Sequence, residues 1–260
     1  MNKENINIKN EMQPLVSILV PMYNAVGTLK ETIDSVLNQT YENWEIILMD
    51  DCSTDNTFEY AKHICANDER IKVFKMLENG GPGAATKEAF KHASGDYIAF
   101  IDADDLWSSE KLEIQINFMR ENGYNFTCTD YRWIDSNGED LHKVIKCRKV
   151  ADYKTILKCC PIGSSTVIVT KELLSSVDIP IIRKNNDYAL WLKLLKNGNK
   201  VYGIDQILME YRIIQTSNSF KKRKMIKYFW QVYREQEKFS LIKSTFLLTR
   251  YIFIKLVGIK

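Results

Sequence analysis

The sequence has few of the residues that build metal clusters. It contains six cysteines, none spaced as a Cys-x-x-Cys pair, and only three histidines, which are scattered along the chain. A structural zinc site needs clustered ligands of these two types, so none is expected. The first 14 residues are polar and lack the apolar core of a signal peptide. This favours a cytoplasmic protein whose thiols stay reduced.

The sequence also lacks internal repeats and low-complexity tracts, and its composition is ordinary. Of its 260 residues, 45% are hydrophobic and 27% are charged. These values exclude a disordered chain and predict a globular one with a sizeable core. The length fits one large domain, or one domain with an appendage.

The last forty residues lack an uninterrupted apolar run long enough to span a membrane, because Lys243, Arg250 and Lys255 divide it. Residues 221–260 contain 11 basic and 2 acidic residues, a net charge of +9, whereas the other 220 residues carry −6. Two helices are expected here, rich in aromatic residues. Basic and aromatic helices suit the surface of an anionic membrane. Packing on the rest of the chain or on a second copy is the alternative. No nucleic-acid-binding module is evident.

Strands and helices are predicted to alternate four times in the first hundred residues. Apolar runs rich in β-branched residues occupy 16–20, 44–49, 71–76 and 95–101, and segments with helical periodicity lie between them. This alternation predicts an α/β fold with a doubly wound, mostly parallel sheet flanked by helices. Later the pattern is irregular. The expected strands are 126–134, 165–170, 201–204 and 207–214, and the expected helices are 109–121, 153–160 and 187–195.

The fourth strand ends in three carboxylates within four positions: Asp102, Asp104 and Asp105. Side chains alternate along an extended chain, so Asp102 and Asp104 should lie on one side. Carboxylates this close repel one another unless a cation or bound hydroxyl groups take up their charge. Oxygen ligands suit Mg²⁺ or Mn²⁺. The alternative is a solvated acidic turn that caps the next helix.

Two other strands of the predicted sheet also end in polar residues. Tyr23 and Asn24 follow the first strand, and Asp50 and Asp51 follow the second. The carboxyl ends of parallel strands meet at one edge of a sheet, where open α/β folds bind ligands. These residues and the acidic stretch should therefore line one cleft.

In this order and spacing, several segments resemble family-2 glycosyltransferases, which have the GT-A fold. The resemblance covers about 16–220, and more narrowly it is to bacterial enzymes that build teichuronic acid, capsule or lipopolysaccharide. Its motifs are the segments 20–24 (VPMYN), 35–40 (SVLNQT), 50–55 (DDCSTD), 100–105 (FIDADD), 186–192 (NDYALWL), 211–212 (YR) and 217–219 (SNS).

The resemblance implies a nucleotide diphosphate sugar as donor, usually one of uridine diphosphate, and a divalent metal, Mn²⁺ or Mg²⁺. Asp104 would hold the metal, and Asp102 would accept hydrogen bonds from the ribose or the donor sugar. Asp105 would assist the metal or, the preferred alternative, cap the next helix.

The resemblance also implies a site for the uracil base. Asp51 would accept the ring N–H, and Pro21 and Tyr23 would frame the ring; ordinary packing is the alternative for Tyr23. Asp50 is interpreted as structural.

The family usually inverts the anomeric centre, which requires a base that takes the proton of the acceptor hydroxyl. Asp187 aligns with that base. It begins a helix, whose N-terminus favours an ionised carboxylate. The alternative for Asp187 is a helix-terminal charge without a catalytic role.

The sequence departs from the family pattern in the helix after the glycine-rich segment. The family often has an Arg-Asn pair there, but Thr86 and Lys87 stand near these positions. Lys87 would supply the positive charge to the donor. Arg212 would contact a diphosphate or form a surface ion pair. The turn at 80–83 would let the backbone pass near the donor, and 163–166 would lie near the acceptor pocket or simply start a strand.

These features predict three regions: a flexible leader over 1–14, a GT-A domain over 15–219 and a basic, aromatic helical tail over 220–260. Within the domain, 15–107 would bind the nucleotide sugar and 108–219 the acceptor, a glycan or a lipid-linked glycan. The predicted function is an inverting, metal-dependent glycosyltransferase of cell-surface polysaccharide synthesis, in the cytoplasm or on the inner face of the plasma membrane. The alternatives are a nucleotidyltransferase that makes activated sugars and a non-catalytic protein that binds sugar nucleotides.

Overall fold

A computed structural model describes residues 13–213 and 222–257, with side chains except at 222–225 and 254–257. Most of the expected leader lies outside these residues. The first hundred residues alternate strands and helices as predicted. The elements are β1 (Val16–Met22), α1 (Leu29–Leu37), β2 (Trp44–Asp50), α2 (Thr57–Ile64), β3 (Ile71–Lys75), α3 (Pro82–Phe90) and β4 (Tyr97–Phe100).

The second part of the chain contains shorter and less regular elements. They are β5 (Leu106–Trp107), α4 (Lys111–Asn122), β6 (Phe126–Ile134), β7 (Asp140–Ile145), β8 (Val150–Asp152), α5 (Tyr153–Lys158), β9 (Ile168–Thr170), α6 (Lys171–Ser175), α7 (Asn186–Leu195) and β10 (Lys200–Arg212). The tail forms α8 (Lys222–Gln231) and α9 (Leu241–Val257).

Two strand predictions differ from the structure. The strand expected over 165–170 begins with a 3₁₀ turn, Ser164–Thr166, and only then continues as β9. The strands expected over 201–204 and 207–214 are one strand, β10, because a bulge between Ile204 and Ile207 interrupts its pairing without ending it. A bulge adds an unpaired residue, and this breaks the apolar alternation in the sequence.

The strands form one sheet in the order β3-β2-β1-β4-β9-β6-β10-β5, with β7 beside β6 and β8 beside β10. Neighbours are parallel from β3 through β4, but β9 runs antiparallel to both β4 and β6. The prediction of a mostly parallel sheet is therefore right for the first four strands and wrong beyond them. The second part of the sheet is mixed, and only β6 and β10 are parallel there.

Helices cover both faces of the sheet, which explains why every residue of β2 is buried. On one face, the helices α1, α2 and α4 contribute Leu29, Ala61 and Leu112, respectively, to the core. On the other face, α3 and α7 pack around Trp191, whose ring lies 5.5 Å from those of Phe100 and Phe126. The central parallel strands β1, β2 and β4 are mostly apolar because both of their faces pack against helices.

The tail packs on the rest of the chain, which was the alternative to a membrane contact in the sequence. The Phe229 ring lies 5.3 Å from that of Tyr188 in α7, and Tyr233 is buried. The Glu237 carboxylate accepts a hydrogen bond from the Tyr153 hydroxyl at 2.5 Å and pairs with Lys196 at 3.0 Å. Within 13–213 and 222–257, none of the helices is both long and apolar enough to cross a bilayer.

The segment 180–186, which leads into α7, packs on the glycine-rich segment 80–83, which includes the first residues of α3. A Cβ atom on Gly83 would lie 2.4 Å from the Pro180 carbonyl oxygen and 3.1 Å from the Asn186 Cβ. Gly83 is therefore needed for the close approach of another part of the chain. The sequence interpretation, that this turn serves approach to a ligand, does not explain Gly83.

The first residue of α4, Lys111, is a buried lysine. The Lys111 amine donates a hydrogen bond to Gln115 at 2.8 Å and lies 4.3 Å from the Trp107 ring centre. The Gln115 amide in turn donates to Thr127 and to the Thr166 carbonyl. Burial lowers the pKa of Lys111 to about 7, because the charged amine is removed from water.

Lys111 should make stability depend on pH. Between pH 7 and about 10.5 the unfolded chain holds a proton that the folded protein releases, so the free energy of unfolding should rise with pH. One proton contributes at most about 1.4 kcal/mol per pH unit. Lys111→Met removes this contribution, so the stability of the variant relative to wild type should fall from pH 7 to pH 9.5 in urea unfolding. The exposed Lys91→Met serves as control, and equal pH dependence in all three proteins would contradict the prediction.

Gly83→Ala should destabilise the protein by about 1–3 kcal/mol, the usual cost of overpacking, although alanine is the better helix former. The new methyl group must displace the Pro180 carbonyl. Urea unfolding measures the change. Gly27→Ala is the matched control, because a Cβ atom there would meet nothing within 4 Å. A Gly83 variant more stable than wild type would show that the approach of 180–186 is not tight.

Candidate active site

A cleft of about 610 Å³ opens at the carboxyl ends of β1, β2 and β4. Six of the eight residues predicted for the site line it: Pro21, Tyr23, Asp51, Asp102, Asp104 and Arg212. Parallel strands bring these side chains together although they lie up to 191 positions apart in the chain. The cleft expected at this edge is present, but Asp50 and Asp105, which were expected to line it, do not.

The loops after β1 and β2 form one wall of the cleft. The Asn24 backbone N–H donates to the Ser53 hydroxyl at 3.0 Å, and the Asn24 side-chain oxygen accepts from the Thr54 N–H at 2.9 Å. Asn24 has a positive φ of 51°, which asparagine tolerates better than most residues. Beside it, Tyr23 is 49% exposed in the cleft, so packing does not account for Tyr23.

The adjacent carboxylates after β2 have different partners. Asp50 is buried and accepts hydrogen bonds from the Ser53 N–H and hydroxyl, consistent with its structural interpretation. The Asp51 carboxylate accepts from the N–H groups of Gly80 and Gly81, at 2.7 and 2.8 Å. Each carboxylate oxygen can accept a further hydrogen bond, so Asp51 can still receive a donor from a ligand.

The acidic stretch follows the predicted alternation. Asp102 and Asp104 line the cleft, whereas Asp105 points into the protein. The Asp105 carboxylate accepts from the Ser165 hydroxyl at 2.5 Å and from the Arg212 N–H at 3.1 Å. The Ser165 hydroxyl also accepts from the Asp102 N–H at 3.0 Å. The 3₁₀ turn that carries Ser165 therefore fixes the carboxylates in place.

The prediction that Asp105 caps the next helix is wrong. Helix α4 begins only at Lys111, and β5 separates it from the acidic stretch. Pairing of Leu106 with Glu210 in β10 draws the chain into the sheet directly after Asp105. Sequence inspection missed β5 because it contains only two residues.

Arg212 lines the cleft and makes an ion pair with Glu31, but Arg212 is buried in this pair and not at the surface as expected. Its guanidinium is buried and donates to the Asp104 carbonyl at 2.9 Å, to the Ser136 carbonyl at 3.1 Å and to the Glu31 carboxylate at 2.5 Å. All three nitrogens are thus bound within the protein. Arg212 therefore supports the acidic stretch. In its ion pair with Glu31, the Arg212 side chain is only 1% exposed.

The negative charges of the carboxylates in the cleft repel one another. Burial, together with the charges of Asp104 and Asp187, raises the pKa of Asp102 to about 7, although the Lys184 amine partly opposes this. Burial also raises the pKa of Asp104, against the nearby Arg212. A divalent cation would relieve this repulsion, so the residues present fit one.

Protein ligands alone do not complete a metal site here. In the part of the chain that the structure describes, no three His, Cys, Asp or Glu side chains are arranged to hold an ion. An ion at Asp104 would therefore take further oxygen ligands from a phosphorylated substrate and from water. This is the usual arrangement for Mg²⁺ at phosphate-binding sites.

Asp187 lies in the first turn of α7 and, unlike Asp102 and Asp104, is not one of the described residues that line the cleft. Its charge contributes to the raised pKa of Asp102, so the two carboxylates are close. Burial raises the pKa of Asp187 itself, while the backbone N–H of Tyr188 opposes this. A raised pKa makes a carboxylate a stronger base once it is ionised.

The structure does not bring Lys87 into the cleft. Its amine pairs with Asp178 at 2.6 Å instead. The basic side chains that do line the cleft include Arg183 and Lys184, which sequence inspection missed. A signal was present, because two consecutive basic residues stand three and four positions before Asp187. Asn79, Thr28, Tyr211 and, from α8, Tyr228 also line the cleft without having been predicted.

The chain is similar in sequence to known glycosyltransferases. The chain is 40% identical over 239 residues to a Bacillus subtilis protein named putative teichuronic acid biosynthesis glycosyltransferase TuaG. This alignment covers 92% of this chain and 95% of that protein. It is 39% identical over 247 residues to an Escherichia coli protein named UDP-Glc:alpha-D-GlcNAc-diphosphoundecaprenol beta-1,3-glucosyltransferase WfgD, covering 95% and 94% of the two chains.

Solved structures with the same fold confirm the GT-A architecture. One is S. aureus TarS 1–349 in complex with UDP-GlcNAc, with a TM-score of 0.69 and 21% identity over 91% of this chain and 71% of that one. Another is a mannosyltransferase from Pyrobaculum calidifontis in complex with GDP-Man and Mn²⁺, with a TM-score of 0.68 and 16% identity over 88% and 66% of the two chains. The model of glycosyl transferase family 2 matches residues 17–171. The chain therefore belongs to glycosyl transferase family 2 and is a glycosyltransferase.

Proposed function

We propose that the protein transfers a sugar, with inversion and with the help of Mn²⁺ or Mg²⁺, from a uridine diphosphate sugar to a glycan or lipid-linked acceptor. The observation that carries this proposal is that Asp102 and Asp104 line one cleft, while Asp187, on a separate element, lies near enough for its charge to raise the pKa of Asp102. Two of these carboxylates line the cleft and suit a metal-bound donor. The third lies close to them on a different element.

The wall made by the loops after β1 and β2 would hold the nucleoside. Asp51 is fixed by two glycine N–H groups, so its remaining lone pairs have a defined direction for the uracil N–H. Pro21 and Tyr23 line the cleft next to it and would frame the ring. Asp102 would accept hydrogen bonds from hydroxyl groups of the ribose or the donor sugar.

Asp104 would hold the divalent ion, which supplies positive charge against the charge that develops on the leaving diphosphate. Ser165 and Arg212 fix the backbone on both sides of Asp104, so its carboxylate is positioned before the substrate arrives. Preorganisation of this kind reduces the reorganisation that the reaction requires.

Asp187 would accept the proton of the acceptor hydroxyl as its oxygen attacks the anomeric carbon, on the side opposite the diphosphate. One displacement inverts the anomeric centre. The carboxylate must be ionised for this step, and burial raises its pKa. The acid limb of the pH-rate profile should therefore lie above the ordinary range for aspartate.

The division of labour between the two parts of the sheet follows from these positions. Residues 15–107 contribute Asp51, Asp102 and Asp104 and would bind the nucleotide sugar, whereas 108–219 contribute Asp187 and would bind the acceptor. The relatives' names support an acceptor of cell-surface polysaccharide synthesis, because one names teichuronic acid and the other a diphosphoundecaprenol-linked sugar.

A lipid-linked acceptor would require a membrane contact, and we propose that α9 makes it. Leu241, Ile242, Phe246 and Phe253 are 59–85% exposed on this helix, beside the exposed Lys243 and Arg250. Helix α9 contains no acidic residue. Apolar and basic side chains on one exposed surface suit the interface of an anionic bilayer.

The donor site and the base are tested with two variants. Wild type should bind uridine diphosphate more tightly with Mn²⁺ than without it in isothermal titration calorimetry. Asp104→Ala should lose this metal dependence. Asp187→Asn should keep it but lower turnover of a uridine diphosphate sugar about 10²–10⁴-fold, the usual contribution of a general base.

Two results would contradict the proposal. The donor assignment fails if wild type binds no uridine diphosphate in the presence of Mn²⁺. The assignment of the base fails if Asp187→Asn turns over a donor and acceptor pair at the wild-type rate. Asp178→Asn is the control, since this carboxylate lies outside the cleft in an ion pair with Lys87.

Membrane contact is tested by sedimentation with vesicles that contain phosphatidylglycerol. The double variant Ile242→Glu and Phe246→Glu should bind them at least about tenfold more weakly, since burial of each apolar side chain contributes about 1.5–3 kcal/mol. Leu77→Glu is the matched control, because Leu77 is fully exposed outside the tail. Equal binding by the double variant, or equal binding to neutral vesicles, would overturn this part of the proposal.

A further inference from the structure

The wall of the cleft formed by segment 180–186 is basic, in contrast to the acidic wall formed by Asp102 and Asp104. Arg183 and Lys184 line the cleft on this side. We infer that the Lys184 amine binds the diphosphate of the donor, on the side away from Asp104. This inference rests on the proposed function and names a cationic contact that the mechanism above leaves open.

Segment 180–186 is held in place by contacts to the nucleoside end of the cleft. The Arg183 guanidinium donates to the Asn79 side-chain oxygen at 2.8 Å and to the Asn79 carbonyl at 2.9 Å. The Asn79 side chain in turn donates to the Asp51 carbonyl at 2.9 Å. Arg183 also packs on Gly81, where a Cβ atom would lie 3.2 Å from its Cγ. The position of Lys184 is therefore tied to that of Asp51.

Arg183 and Lys184 differ in what their charged groups contact. The Arg183 guanidinium uses two of its nitrogens on Asn79, so it fixes the path of the segment. Lys184 is half-buried, and among residues 13–213 and 222–257 it has neither a hydrogen bond nor an ion pair for its amine. An ammonium group carries three donors, which suits several phosphate oxygens.

The charge of Lys184 acts on the acidic wall without direct pairing. Lys184 and Asp102 line the same cleft, but among the described contacts no oxygen of Asp102 lies within 4 Å of the Lys184 amine. With a divalent ion bound at Asp104, the gap between that ion and the amine would have positive charge on both sides, which suits an anion. A diphosphate in this gap would meet the ion at Asp104 on one side and the amine on the other.

The other cations near the cleft are already bound within the protein. Arg212 donates from all three nitrogens to Asp104, Ser136 and Glu31. Lys87, expected from the sequence to supply this charge, pairs with Asp178 outside the cleft. Of the basic residues that line the described cleft, Lys184 is thus the one whose charged group has no protein partner.

The test compares ligands that differ in phosphate number. Uridine, uridine monophosphate and uridine diphosphate are titrated with Mn²⁺ into wild type and Lys184→Gln. Loss of a charge-assisted contact should weaken uridine diphosphate binding about tenfold or more and leave uridine binding unchanged. Lys184→Arg keeps the charge and should restore most of the affinity. Lys87→Gln is the matched control and should bind all three ligands as wild type does.

The outcomes separate this inference from the proposed function. Unchanged uridine diphosphate binding by Lys184→Gln overturns the inference and leaves the donor site intact. An equal loss of affinity for uridine also overturns the inference, because uridine carries no phosphate. If wild type binds guanosine diphosphate in preference to uridine diphosphate, the proposed nucleoside is wrong, and the same comparison with guanosine and its phosphates decides on Lys184. Failure of wild type to bind either diphosphate overturns both. Equal melting temperatures of the variants exclude misfolding.

Discussion

The hydrogen bonds of the Asp105 carboxylate are the constraint on which the site depends. One carboxylate, turned away from the cleft, joins the Ser165 hydroxyl and the Arg212 backbone, which come from distant parts of the chain. Burial raises the pKa of Asp105 well above its usual range, so the stretch carries a costly buried acid. The neighbouring Asp102 and Asp104 are held in the cleft by this inward anchor, and the buried Arg212 secures the carbonyl of Asp104 from the other side.

The glycine-rich segment 80–83 contacts both Asp51, on the proposed donor side, and segment 180–186, which leads to the proposed base Asp187. On one side its N–H groups bind Asp51, and on the other Gly81 and Gly83 let segment 180–186 pack closely. Segment 180–186 then continues directly into the helix that carries Asp187. The proposed uracil ligand, Asp51, and the proposed proton acceptor, Asp187, are therefore both positioned through this turn. A ligand that moved the turn would also move the start of α7.

The sequence predicted the first part of the fold well because its strands are buried on both faces, so β1 and β2 appear as continuous apolar runs. It missed β7, whose side chains are largely exposed, and β5, which has two residues. At the site, alternation correctly placed Asp102 and Asp104 together. Lys87 and Arg212 could not be placed, because their partners Asp178 and Glu31 lie 91 and 181 positions away. Local patterns do not contain contacts between residues so distant in sequence.

The packing of the tail on α7 has a consequence for how the protein can be shortened. Val232 and Tyr233 are buried against the domain, and Phe229 covers Tyr188, the residue next to Asp187. A chain ended at 219 would expose this apolar surface to water, where it would favour aggregation. We therefore expect the tail to fold together with the domain on which it packs. Although the tail is basic, its buried side chains Val232, Tyr233 and Leu247 belong to the hydrophobic core.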